Sequence, residues 1–180
     1  MRNQIEAFAG EFRRYRSLAE RSFEPLTAAQ WHRRLLPDGN SVATLVQHLG
    51  GNLRSRYDDF LYGDGETSWR NRDREFDDLR EDPAALRARW DAGWAAVETA
   101  LAPLKDSDLG RHVCIRQVPL TVAEALARSV AHAAYHTGQI ALLCQWLRGA
   151  GWQNLSVPRG GSVAYRANPD KEKPPGAARS

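Results

Sequence analysis

The sequence predicts an all-α fold, an antiparallel four-helix bundle, and three observations predict it. Four segments repeat apolar residues at alternating three- and four-residue spacing, which gathers them on one face of a helix. Capping and turn residues separate these segments, and no stretch has a strong alternating strand pattern. The chain has 180 residues, 42% of them hydrophobic and 26% charged, enough for one domain with a substantial core. That domain is expected over residues 1–167. The Lys, Pro and Gly content of 168–180 predicts a disordered tail.

Ile5, Phe8, Phe12, Tyr15, Ala19 and Phe23 form the stripe of the first helix, with Glu11, Arg13, Arg14 and Glu20 on its other side and Pro25 as its stop. Thr27-Ala28-Ala29-Gln30 has the form of a capping box that starts one short turn and directs Trp31 toward the core. His32, near Arg33 and Arg34, reads as a surface histidine. Pro37-Asp38-Gly39-Asn40 is turn chemistry, and Asn40 or Ser41 caps a second helix expected to reach about Tyr62. The stripe of that helix is Val42, Leu45, Leu49, Leu53 and Phe60. His48 lies at the edge of it, with polar Asn52, Ser55 and Asp59 along its face; these fit either a small cavity or an exposed flank.

A charged connection from Gly63 to Asp82 is about twice the usual loop length, and such loops tend to be functional or disordered. Trp69 and Phe76 favour an anchored loop. Arg70, Arg72 and Arg74 are expected to pair with Asp73, Glu75 and Asp77 rather than to meet an anionic substrate. Pro83 opens the third helix, with the stripe Leu86, Trp90, Trp94, Val97, Leu101 and Leu104. Weak alternation over Arg111–Arg116 permits a short strand or hairpin. Thr121-Val122-Ala123-Glu124 is a second capping box, and it launches the fourth helix, which ends near Gly149 and Gly151. Residues 156–162 are expected to fold back on the body.

The fourth helix carries the chemistry. His132 and His136 are four residues apart, so both rings leave the same helical face. The spacing from Val122, Ala125 and Ser129 to Ile140, Leu143 and Leu147 runs through them and predicts that both are buried. Two inward-facing imidazoles have few polar partners there, and a divalent metal would satisfy both with neutral nitrogen ligands. The alternative is a ring hydrogen-bonded to a serine or a carbonyl. His48 is the expected third ligand, which makes the second and fourth helices neighbours. Ala133 stands where His-Glu-x-x-His has its glutamate, which argues against a metalloprotease.

Other classes are disfavoured. A formal charge of +3, with arginines interspersed among acids, does not imply nucleic acid. Cys114 and Cys144 are too few for a disulfide framework and lack zinc-knuckle spacing; Cys144 reads as a small core residue. No apolar run approaches the ~20 residues of a membrane span, and the N-terminus opens directly into an amphipathic pattern. A cytoplasmic protein without membrane attachment is expected.

The segments Val42-Ala43-Thr44-Leu45-Val46-Gln47-His48, Gly51-Asn52-Leu53-Arg54-Ser55-Arg56, Trp69-Arg70-Asn71-Arg72-Asp73 and Tyr135-His136-Thr137-Gly138-Gln139-Ile140 resemble the DinB/YfiT-like superfamily, and more narrowly an uncharacterised branch of it. The resemblance covers residues 3 to about 165. It implies a four-helix bundle, often a homodimer, holding zinc, nickel or another divalent metal on three histidines, which fall on His48, His132 and His136. It also implies metal-dependent transfer of a low-molecular-weight thiol or a related isomerisation. The acidic residue that often follows the first histidine of the last helix is Ala133 here.

The expected function is therefore a divalent-metal-dependent enzyme acting on a small molecule, thiol S-transferase-like or hydrolase-like. Three neutral ligands leave the ion its charge and an open position where a water or thiol would be acidified. Asn52 and Gln139 are candidate orienting groups for substrate, and Arg56 is a candidate for an anionic cosubstrate; Gln139 would equally serve behind a ligating histidine. The rival is a non-catalytic metal-binding bundle, an interaction or sensor module.

Overall fold

The computed structural model describes residues 3–77 and 79–169, so most of the tail expected over 168–180 lies outside the described residues. Helix α1 (Gln4–Phe23) begins where the Asn3 side chain accepts the Glu6 backbone N–H at 2.7 Å, and it buries Ile5, Phe12, Ala19 and Phe23. The Thr27–Gln30 capping box forms and starts α2 (Ala28–Trp31), which places Trp31 against Phe23 with ring centroids 5.1 Å apart. Ser41, rather than Asn40, caps α3 (Val42–Tyr57). Every residue from 41 to 50 is buried. The first half of this helix is therefore covered on all sides, which explains its Val, Ala, Leu and Gly content.

Helix α3 stops at Tyr57, not near Tyr62 as the stripe suggested. Phe60 keeps the apolar spacing, but the N–H groups of Tyr62 and Gly63 both bond to the Asp59 carbonyl and turn the chain away. Helix α4 (Pro83–Leu101) starts with Asp82 as cap and Pro83 in its first turn, and buries Leu86, Trp90, Trp94, Val97 and Leu101. Strands β1 (His112–Ile115) and β2 (Val118–Thr121) pair antiparallel as the hairpin that the alternation allowed. Its two turn residues, Arg116 and Gln117, have φ of 51° and 64°, the positive values that a two-residue hairpin turn requires. The Thr121–Glu124 capping box then opens α5 (Val122–Arg148), which ends at Gly149 with φ 51°. A last helix, α6 (Ser162–Ala167), was not expected from the sequence.

The described chain is mostly helical, with six helices and one two-stranded sheet. Helix α3 packs on both α4 and α5, and α1 packs on α5 and α4. Phe12, Phe23, Trp90 and Trp94 join α1 to α4 through edge-to-face contacts. Helices α3 and α4 cross at Gly50 and Gly93, where a Cβ on Gly93 would collide with the Gly50 carbonyl oxygen. Only glycine on both sides permits backbone contact this close. Among the described residues no helix is long and apolar enough to cross a membrane.

Candidate functional site

The packing of α3 against α5 brings His48, His132 and His136 together. Their candidate ligand atoms all lie within 4.8 Å of one another, and the ring centroids are 5.4 Å (His48 to His132), 4.9 Å (His48 to His136) and 4.5 Å (His132 to His136) apart. The Nε2 atoms of His132 and His136 are 3.1 Å apart. Two nitrogens bound tetrahedrally to one ion at 2.0–2.1 Å would be about 3.4 Å apart, so this pair needs little movement to share one. The cluster could hold a metal ion.

One part of the burial expectation is corrected. His136 is buried, but His132 is only half-buried, and the buried line of α5 passes through Ala133 and Thr137 instead. Thr137 donates to the Tyr15 carbonyl of α1 at 3.5 Å, so the line through Ala133 and Thr137 faces α1. The histidine line is turned toward α3. A three-or-four spacing passes equally well through residue 132 or 133, and only the placement of α1 decides between them.

Each deeply placed ring is fixed from behind. His48 Nδ1 lies 2.8 Å from Glu75 Oε2, and since an ionised carboxylate only accepts, the ring donates there, which in the neutral imidazole puts the lone pair on Nε2. His136 Nδ1 donates to Gln139 Oε1 at 2.8 Å, which leaves its Nε2 as the acceptor of a proton from His132 Nε2. Gln139 is thus hydrogen-bonded to a histidine of the cluster. Burial, and after it the neighbouring His136, His48, Arg56 and Arg70, push His132 down to about 3. Burial and His48 also lower His136, against the Gln139 hydrogen bond. Both rings are therefore neutral near pH 7, the protonation state a metal ligand needs.

Glu75 is the residue of the site that the sequence does not reveal; its neighbours in the chain point only to an ion pair with an arginine. That pairing does form, with Arg70 Nε to Glu75 Oε1 at 2.7 Å and Nη2 to Oε2 at 2.9 Å, while Arg70 Nη1 donates to Ser55 Oγ at 2.9 Å. Burial works to raise the Glu75 carboxyl, but its hydrogen bonds from Arg70 and His48 hold it below its ordinary range. Gly51 leaves room for it, since a Cβ there would run into Glu75 Oε1. Phe76 is the anchor foreseen for this loop and packs on the His48 ring at 4.8 Å. Trp69 is 47% exposed and lies under the Arg54 guanidinium. The only signal for Glu75 was an acid beside an aromatic anchor in an overlong loop.

The remaining candidates fall as follows. Asn52 is half-buried one turn beyond His48, Ser55 is buried and Asp59 is exposed, so the polar face of α3 is part site and part surface. Arg56 is half-buried one turn beyond Asn52. His32 bonds through Nε2 to the Glu81 carbonyl at 2.9 Å, and His112 is exposed on β1. Cys144 is buried, its thiol pushed up to about 12 by that burial, as suits a core residue. No curated protein matches the chain. The profile of a family described as protein of unknown function, DUF1572, matches residues 1–161, and the chain belongs to that family.

Proposed function

We propose that His48, His132 and His136 hold one divalent metal ion, zinc or nickel, in a metal-dependent enzyme acting on a small molecule. The observation that carries this reading is three imidazoles within 4.8 Å, two of them held at Nδ1 by Glu75 and Gln139 so that Nε2 is the ligand atom turned toward the cluster, with His136 Nε2 hydrogen-bonded there to His132. A packing role for these histidines would not require that bracing. What a divalent ion supplies at such a site is Lewis acidity, which lowers the pKa of a water or thiol beside it. The residues themselves orient and shield. Glu75 retains the His48 proton at Nδ1, Gln139 does the same for His136, and Phe76 covers one face of the His48 ring. His132, the most exposed of the three, marks the side from which a small molecule reaches the centre.

Within this reading the chain is a DinB/YfiT-like four-helix bundle formed by α1, α3, α4 and α5, and it works as a homodimer on a low-molecular-weight thiol or as a hydrolase. The sequence segments quoted above support the superfamily, and the packing of those four helices is compatible with it. Asn52, half-buried one turn beyond His48 on α3, is the residue assigned to orient a substrate.

A specific observation favours the rival, a non-catalytic metal-binding module. Among the described residues Glu75 is the carboxylate hydrogen-bonded to the cluster, and its oxygens are taken by Arg70 and His48. It is therefore a poor general base. The test is the metal content of the purified protein, followed by turnover of electrophiles with a panel of thiols. Bound metal with thiol-dependent turnover supports the enzyme, and full occupancy without turnover supports the rival. His132→Ala should lose most of the bound metal; unchanged occupancy would remove His132 from the ligand set.

A further inference from the structure

Two ladders of side chains descend from the histidine cluster. On α3, His48, Asn52 and Arg56 follow at four-residue intervals, and on α5 so do His136, His132 and Arg128. Each ladder shares one helical face, and α3 packs on α5. Both therefore begin at the imidazoles and end at an arginine. Arg56 lies about 12 Å along the axis from His48, and Arg128 about 6 Å from His132 and 12 Å from His136, at 1.5 Å per residue.

These two arginines differ from their neighbours. Arg70 is neutralised by Glu75, and Arg116 by Glu66 at 2.7 Å. Arg56 and Arg128 take part in no ion pair among the described residues. Arg56 Nη1 is buried without a hydrogen-bond partner, beneath Gly65, whose Cβ position is 3.2 Å away. The loop over it is held in place, because the Arg116 N–H bonds to the Asp64 carbonyl at 3.0 Å. Burial first, and then Arg116, Arg128 and Arg70, bring the Arg56 guanidinium below its ordinary value, with Glu66 opposing. An unpartnered, partly buried cation next to further cations is destabilising by itself and is relieved by an anion.

We propose that Arg56 and Arg128 bind an oxyanion group, carboxylate or phosphate, of a small molecule whose other end reaches the three histidines. The proposal rests on the reading of the histidine cluster as a ligand-binding centre and specifies its substrate class as an anionic metabolite roughly 6–12 Å long between its two functional ends. Two guanidinium groups present paired donors that fit either oxyanion.

The experiment titrates inorganic phosphate, and separately acetate, into the zinc-free full chain, following the arginine Nε–H signals by NMR. Zinc is left out so that neither anion can bind to it. Saturable binding by the wild type, weakened roughly tenfold in Arg56→Gln and in Arg128→Gln, is expected. The stronger of the two probes identifies the oxyanion. Arg111→Gln, on the exposed surface, should bind as the wild type does, and equal weakening there would reduce the effect to general positive charge and overturn the proposal. Affinity unchanged in both site variants overturns it as well. Arg56→Gln should melt no lower than the wild type, since it removes an unpartnered cation; loss of stability together with phosphate binding would assign Arg56 a packing role instead. Zinc binding measured in parallel separates the readings: zinc retained without phosphate binding sinks the anion site alone, and phosphate bound without zinc sinks the metal centre alone.

Discussion

Replacing Glu75 with glutamine changes one atom in the interior, and the structure gives the size of the effect. Glu75 is 6% exposed and accepts two hydrogen bonds from Arg70 and one from His48. The amide keeps one acceptor oxygen, removes the negative charge opposite the buried Arg70, and turns an NH2 group toward one of two donors. Breaking a buried ion pair by removing one partner costs about 3–5 kcal/mol. The retained oxygen and the Ser55 contact to Arg70 place Glu75→Gln at the lower end, about 3 kcal/mol. For a chain of this size that is a melting temperature roughly 6–12 °C lower. If the NH2 group faces His48, it donates to Nδ1 and drives the ring proton to Nε2, the nitrogen that would face a metal. Zinc affinity should then fall about 10–100-fold. Thermal unfolding of the zinc-free protein and a chelator competition for zinc read the two effects separately. A variant that melts within a degree or so of the wild type and holds zinc equally well would refute the assignment of Glu75 as the group that positions His48.

Further predictions concern pH and packing. The zinc-free protein should lose stability as pH falls below about 6.5, because folded His132 and His136 are held below that value and the unfolded chain takes up protons that the folded chain does not. The lowered Glu75 carboxyl acts in the same direction at lower pH, its stabilisation present above its unfolded value and lost as pH falls through its folded value. Denaturant midpoints between pH 7.5 and 5 check this, and a flat profile would contradict the burial of the two rings. Gly93→Ala places a methyl group against the Gly50 carbonyl oxygen; since both atoms belong to packed helices, a loss of about 1–3 kcal/mol is expected, readable as a lower denaturant midpoint at unchanged slope. An unchanged midpoint would mean that α3 and α4 are farther apart than they stand here.

Much of this molecule is written locally. The capping boxes at Thr27 and Thr121, the Pro83 start and the Gly149 stop involve residues at most a few positions apart, and each forms where the sequence places it. The hairpin at Arg116-Gln117 and the alternation of Val113 and Ile115 belong to the same class. So does the shared face of His132 and His136, which the helical repeat imposes without reference to the rest of the fold. The arrival of His48 at that face is different. It depends on α3 lying against α5, for which helical stripes give a reason but no register.

What the sequence determined by itself is the four long helices with the short turn of α2, and the pair of imidazoles on one of them, because backbone hydrogen bonding and side-chain period act over three or four residues. Which line of α5 is buried, Ala133 or His132, was decided by the position of α1. That Glu75 stands behind His48 was decided by a loop closing over 27 residues of separation, and that Arg56 lies under Gly65 with its charge unanswered was decided by a loop pinned to the hairpin. Contacts of that kind depend on where separate elements come to rest in space, and no local period encodes them.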